Sequence, residues 1–324
     1  MSHTTRGLTG MIEDIFQILS MPFVLRALIG ILLIAVIAST SGSFLVFRGL
    51  SFLASGVAHA ALGGAALGLF LQYSGLAPWF DPILGALLFS TLVAIVTGYA
   101  GESGIAQKME VAVGVSFALS MSIAVFLMYY IPPTQVPQIW GYLIGDILLL
   151  DNLDVVLLGG TAVFLLLLVL IFNKEFVYVS VDMDGSIAHG LNARFYHYVM
   201  LIASALAIAV ATKAVGAILV YAILVAPAAA SNEVVSSVRG VILGVFCIAL
   251  LSELAGLAAS FAMQVSPSAV AGILAAFSYI VAMQIRRRRR RKLSASPESP
   301  LTDLGDIVAP TQGCDHCDEH HDSP

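Results

Sequence analysis

The sequence predicts an all-α polytopic membrane protein, and three observations carry that prediction. Charge is scarce: Asp, Glu, Lys and Arg make up 11% of the 324 residues, where an ordinary soluble domain carries about 25%. Hydrophobic residues make up 59%, and the charges crowd into the stretch after Ile285. Uncharged stretches such as 49–80, 111–145 and 254–285 exceed the roughly 20 apolar residues that carry a helix across a bilayer. A spanning β-barrel would show alternating segments of about 10 residues instead, so the spans are helical.

Taken in order, residues 1–21 read as an amphipathic lead-in, with Ile12, Ile15, Phe16 and Leu19 at the spacing of one helix face. Glu13 and Asp14 precede Pro22 where a signal peptide needs a clean apolar core, so no cleavable signal is expected. The transmembrane body, 22–285, divides into about nine spans, with eight to ten as the range: 22–47, 50–73, 82–100, 111–131, 154–172, 197–212, 214–228, 240–263 and 268–285. The seventh would reach only about 21 Å at 1.5 Å per residue, so it is broken, re-entrant or shielded by other helices. Residues 173–196, with Asp182, Asp184, Gly185 and Gly190, read as a polar connection. Residues 286–292 form a basic membrane-proximal anchor. Residues 293–324 form a Cys-, His- and acid-rich tail with too little apolar surface to fold, expected to be disordered.

Lys and Arg gather on the cytoplasmic side of membrane proteins. The anchor after Ile285 therefore places the C-terminus in the cytoplasm. Counting back puts Arg239, Arg194, Lys174, Lys108 and Arg48 inside, and the Pro-rich 132–153 stretch and the N-terminus outside. Arg6, Arg26 and Lys213 fall on the wrong side.

Several functions drop out. The net charge of −5 argues neither way, but the anchor accounts for the one basic block, so no nucleic-acid partner is called for, and membrane lipid is. No G-x-x-x-x-G-K-[ST] phosphate loop occurs, so the chain has no ATPase site of that kind. Cys247 stands alone and Cys314 and Cys317 lie in the tail, so no disulfide framework holds the fold.

Four motifs in order then resemble one family. They begin with Gly42-Ser43-Phe44-Leu45-Val46-Phe47-Arg48-Gly49-Leu50-Ser51-Phe52, followed by Ala58-His59-Ala60 and Gly63 to Gly68. Tyr142-Leu143-Ile144-Gly145-Asp146-Ile147-Leu148 comes next, with Asp154 after it, and then Asp184, Ala188 and Gly190. Lys213-Ala214-Val215-Gly216-Ala217-Ile218-Leu219-Val220, running on to Leu224-Val225-Ala226-Pro227-Ala228-Ala229-Ala230, completes the set. Over 22–285 the chain resembles the permease subunits of zinc, manganese and iron ABC importers. It departs at Ser55, where the family commonly has an acid four residues before the motif histidine, and at Val265-Ser266-Pro267-Ser268, where the family tends to a P-x-G turn.

The candidate residues sort by chemistry. His59, inside an apolar helix, needs a partner or water and can ligate a metal through a neutral nitrogen; the bland alternative is a satisfied packing residue. Ser55, at i−4, shares its face. Glu253 interrupts the 240–285 run, and a carboxylate inside a membrane marks a functional position by default; otherwise it faces a subunit contact or vestibule. His59, Ser55 and Glu253 are the expected transport pathway. Glu110 and Asp146 sit near helix ends, where caps are expected, and the resemblance adds a gating or structural part. Lys213 is expected to snorkel. The resemblance places the short helix that docks on the ATPase at 228–240, with Pro227, Ala228, Ala229, Ala230, Ser231, Asn232 and Glu233 as the coupling residues. In the tail, Cys314, His316, Cys317, His320 and His321 are zinc-type ligands spaced too closely for a folded finger, so they would chelate flexibly.

The resulting reading is the transmembrane permease subunit of an ATP-driven importer of divalent transition metal, zinc first, then manganese or iron. It makes no covalent bond and holds no permanent cofactor beyond the metal it moves. The resemblance implies a homodimer in the plasma (cell or inner) membrane, a cytoplasmic ATP-binding subunit and an extracytoplasmic metal-binding protein. Three rivals stand: a proton-coupled secondary carrier using Glu253 and His59, an ABC permease for a metal chelate or vitamin, and a membrane metal sensor acting through the tail.

Overall fold

The computed structural model describes residues 21–101 and 106–294, and among them there is no strand. The helices are α1 Pro22–Phe47, α2 Ser51–Tyr73, α3 Pro82–Gly101, α4 Ala106–Met128, α5 Val136–Ile144, α6 Asn152–Ile171, α7 Asn173–Val181, α8 Met183–Ala188, α9 Ala193–Val215, α10 Val220–Val234, α11 Val238–Met263 and α12 Pro267–Ser294. Among the described residues, eight of them (α1–α4, α6, α9, α11 and α12) are long and apolar enough to cross a membrane.

The short seventh span expected at 214–228 is α10. Its 15 residues reach about 22 Å, and it begins at Val220 rather than near 214 because α9 runs on to Val215 and stops at Gly216, whose φ is +94°. Short as it is, α10 is shielded: Val220, Ile223, Leu224, Val225, Ala228 and Ala230 are buried, with α1, α2, α11 and α12 packed around it. Its backbone polar groups therefore meet protein rather than lipid.

Burial sorts the other spans into layers. The apolar windows of α2 and α9 are 78% and 72% buried, while those of α4, α6 and α12 lie between 22% and 28%. The first two form the centre, and the last three present apolar residues such as Val111, Val115, Leu119 and Phe126 outward. Helix α1 carries a π-helical stretch, Ala38–Gly42, midway to its end. There Ser39 Oγ and Thr40 Oγ1 donate to Val36 O at 2.9 and 2.8 Å, the side-chain competition that loosens a helical ladder.

Helices alternate in direction, so the body has two ends. One gathers Tyr73, Asp81, α5, Asp146, Asp151, Lys213 and Ser266; the other gathers Arg48, α7, α8, Glu233 and Arg286. The 173–196 stretch is more ordered than a connection: it folds as α7 and α8. Phe176 is buried against Phe44, Phe172 and Tyr196, with ring centroids 5.8, 6.0 and 6.3 Å apart, and Asp182 caps α8 by accepting Gly185 N–H at 2.9 Å. The misplaced cations also find reasons. Arg26 Nη1 donates to Leu150 O at 3.1 Å, and Lys213 does not snorkel but pairs with Asp154 at 2.6 Å. Arg6, most of the amphipathic lead-in, and the tail residues Cys314, His316, Cys317, His320 and His321 lie outside the described residues.

Candidate functional site

His59 lies eight residues into α2, about 12 Å from its first turn, on a half-buried face that also carries Ser55. Its Nδ1 is 2.9 Å from Ser55 O. A carbonyl oxygen can only accept, so Nδ1 carries a proton, and in the neutral ring Nε2 keeps its lone pair, the tautomer a metal ligand requires. Phe117 of α4 sets the ring plane from the other side, with centroids 4.4 Å apart at 59°. The sequence placed Ser55 on the same face; the structure adds that it orients the ring through its backbone carbonyl.

Glu253 is set apart from that pair. It is 1% exposed on α11, a helix that packs on α1, α10 and α12, and neither carboxyl oxygen has a hydrogen-bond partner among the described residues. Glu110 is exposed near the start of α4. Asp146 is a cap, as its position near a helix end suggested: it accepts Leu148 N–H at 3.0 Å over the 3₁₀ turn Ile147–Leu149.

Asp146 also lines a cavity of about 850 Å³ at its end of the body, together with Asp81, Asp151, Asp154, Lys213, Gln72, Gln138 and Tyr142. Local rules position its carboxylates. Asp151 and Asp154 close a capping box at the start of α6, and Asp81 accepts Ile83 N–H at 2.9 Å as α3 begins. Tyr142 is 5% exposed. Burial first, then the charges of Asp81 and Asp154, push its phenol upward from its ordinary value, so it stays protonated. Sequence reasoning singled out Asp146, Asp154 and Lys213 one at a time but missed that Asp81 and Asp151 join them. The spacing Asp151-Asn152-Leu153-Asp154 ahead of an apolar run was the available signal for the capping box.

The cavity wall is tied to α10 through backbone. Ala217 N–H donates to Tyr142 O at 2.9 Å and Ile218 N–H to Leu143 O at 3.3 Å. Gly145, at φ +67°, and Gly216, at φ +94°, lie so close that a Cβ on either would enter the other strand of backbone. Only glycine permits both the φ and the approach.

At the other end, the expected docking segment is not a separate helix. Helix α10 runs unbroken to Val234, and Pro227, Ala228, Ala230 and Ser231 are buried in it, Ser231 donating to Val241 O at 3.0 Å. Ala229 and Glu233 are half-buried and Asn232 is exposed. Glu233 pairs with Arg286 at 2.5 Å, and Arg289 donates to Val234 O at 3.3 Å, so the basic extension of α12 folds over the end of α10. Large apolar groups exposed at this end include Tyr178 and Val181 on α7 and Ile187 on α8, beside Phe195 at the start of α9.

Comparison with known proteins agrees with this architecture. The chain is similar to the manganese import system permease protein ScaB of Streptococcus gordonii, 27% identical over 281 residues, covering 86% of this chain and 98% of that one. It is 24% identical over 264 residues to the high-affinity zinc uptake system membrane protein ZnuB of Haemophilus influenzae, covering 81% and 97%. The solved structure of PsaBC from Streptococcus pneumoniae in complex with Fab superposes with a TM-score of 0.75 at 26% identity, over 88% of this chain and 99% of that one. Residues 20–286 match the profile of the ABC 3 transport family. With a multi-pass helical body and a family match that spans it from end to end, the chain belongs to the ABC 3 transport family.

Proposed function

We propose that the chain is the membrane permease subunit of an ATP-driven importer that moves a divalent transition metal ion, manganese or zinc, inward by alternating access. The observation that carries this reading is His59: an imidazole held by a carbonyl in its metal-ready tautomer, on a half-buried helix face, in a chain with no phosphate loop of its own. Carboxylate, water and imidazole serve both metals, so geometry and availability choose between them. The names of the relatives, one a manganese importer and one a zinc importer, support the same two cargoes.

In this reading the chain resides in the plasma membrane with the Arg286 end and its C-terminus cytoplasmic, because the basic block lies there. Two copies pair through the outward apolar face of α4 and its neighbours and line the path between them. The cytoplasmic ATPase meets the exposed surface of that end. Asn232 and Glu233 give it polar contacts, and Tyr178, Val181 and Ile187 of α7 and α8 give it apolar anchors. An extracytoplasmic metal-binding protein delivers the ion to the opposite, acidic end. Ser55 and His59 form the intramembrane station, and Glu253 is a second, buried group that would meet an ion only after α11 shifts against its neighbours.

The test is uptake of labelled manganese and zinc into vesicles containing permease, ATPase and binding protein. His59→Ala should lower the rate at least tenfold at unchanged expression, and Glu253→Gln should lower it less. Uptake at the parent rate by His59→Ala would remove the imidazole from the path.

A further inference from the structure

We propose that the cavity bounded by α2, α3, α5 and α6 receives a hydrated divalent cation, and that the Lys213 ammonium is a resident counter-ion which the metal displaces from Asp154. This site lies at the far end of α2 from His59, at Gln72 and Tyr73, and its assignment to the extracytoplasmic side rests on the permease reading.

Four aspartates, Asp81, Asp146, Asp151 and Asp154, and a single lysine are the charged groups of its lining. Low-dielectric walls focus such an excess into a field that concentrates cations. At about 30 Å³ per water, an ion with its first shell of six waters fills roughly 200 Å³, well within the cavity's 850 Å³. No three carboxylate, histidine or cysteine groups converge tightly enough to chelate a bare ion among the described residues. The donors are spread around an open volume, the arrangement that suits a metal held through its water.

Each donor has capacity to spare. Asp81 and Asp146 commit one oxygen each to a backbone N–H, from Ile83 and Leu148, and keep the other for water. Asp154, 5% exposed at its side chain, holds the Asp151 N–H on Oδ2 at 3.2 Å and Lys213 on Oδ1 at 2.6 Å. Tyr142 supplies an independent sign of a ligand. It lines the cavity, is 5% exposed, and has no hydrogen-bond partner for its hydroxyl among the described residues. Its hydroxyl is not one of the fully buried orphan atoms but opens on the cavity, where the oriented water of a bound cation would pair it.

Lys213 is built to leave. Its side chain is 36% exposed against 5% for Asp154, so its flexible stem can swing into water. Held through its water at roughly 4 Å, against 2.6 Å for the ammonium, a 2+ ion makes up the longer distance to Asp154 by its doubled charge, whereas a hydrated 1+ ion does not. The site therefore discriminates by charge, favouring a 2+ ion over a 1+ ion, and leaves the choice between metals to the path beyond.

The experiment titrates manganese(II) alone into full-length permease assembled with its ATPase in nanodiscs, without nucleotide, following the free aquo-ion by electron paramagnetic resonance. A saturable class of sites should tighten three- to tenfold in Lys213→Met, weaken at least threefold in Asp81→Asn and weaken more modestly in Tyr142→Phe. Asp154→Asn removes the Lys213 pair together with the carboxylate, so Lys213→Met and Asp81→Asn, whose amide oxygen can still accept the Ile83 N–H, decide the matter. Binding that is unchanged in both variants, or no saturable class at all, overturns the proposal. If the same complex then still takes up manganese with its binding protein, the receiving site alone has failed. If saturable binding responds as expected but no metal is taken up, the permease reading has failed and the site stands.

Discussion

The two ends of α10 are held by different kinds of contact. At Gly216 the chain lies backbone on backbone against Gly145, with two main-chain hydrogen bonds from Ala217 and Ile218 and no side chain between. At Glu233 it is held by side chains, the Arg286 pair at 2.5 Å and the Arg289 contact with Val234 O at 3.3 Å, with Arg286 nearly half exposed. A backbone crossing has one register and no rotamers, so a movement of α10 has to carry α5 and the cavity wall with it. A surface ion pair can break and re-form while the helix moves. The first end suits a fixed coupling, and the second a surface that changes partners.

The largest effect should come from breaking the crossing. Gly216→Val demands φ +94° of a β-branched residue and pushes its Cβ into Ile144; strain and overpacking together cost about 3 kcal/mol or more. Little folded protein should survive detergent extraction, measured as the monodisperse fraction on size exclusion. A normal yield would mean that the crossing is not rigid.

Next in size are two charge insertions at the opposite end. Ala230 is 1% exposed inside α10, so Ala230→Asp should cost folded yield before it touches coupling. Ile187 is 50% exposed on α8, so Ile187→Asp should leave yield unchanged while lowering uptake and transport-stimulated ATP hydrolysis about tenfold. Equal loss of yield in both variants would show that α8 is packed rather than presented. The smallest effect belongs to Glu233→Gln, which removes a largely solvent-screened pair worth about 1 kcal/mol or less. Thermal stability should fall slightly, and less at high salt; a large, salt-insensitive drop would make this end as rigid as the first.

How much was legible beforehand varies with the interaction involved. Apolar run length placed most spans within a few residues, because crossing a bilayer depends on local composition. The same rule misplaced the start of α10 near 214, since nothing in the run Lys213 to Val225 announces that a glycine stops one helix and that a tertiary contact delays the next. His59 and Ser55 were paired by the four-residue helical repeat, and the structure keeps them together. Glu253 looked equivalent, another polar interruption of an apolar run, but burial by α1, α10 and α12 depends on residues far away in sequence. The docking segment came from the resemblance rather than from any local signal of exposure, and the structure buries most of the small residues after Pro227 while exposing Val181 and Ile187.

The sequence by itself determined the class of protein, the segments that enter the membrane, the absence of a phosphate loop, and a candidate imidazole on one helix face. Each depends on composition or on the 3.6-residue period, which neighbours along the chain define. Only the tertiary structure decided that Lys213 meets Asp154 across 59 residues, that Asp81 and Asp151 join them around one cavity, and that Gly145 and Gly216 cross. These depend on which helices become neighbours, and an apolar helix in a membrane carries little local information about its partner, because lipid and protein are almost equally good surroundings for its side chains.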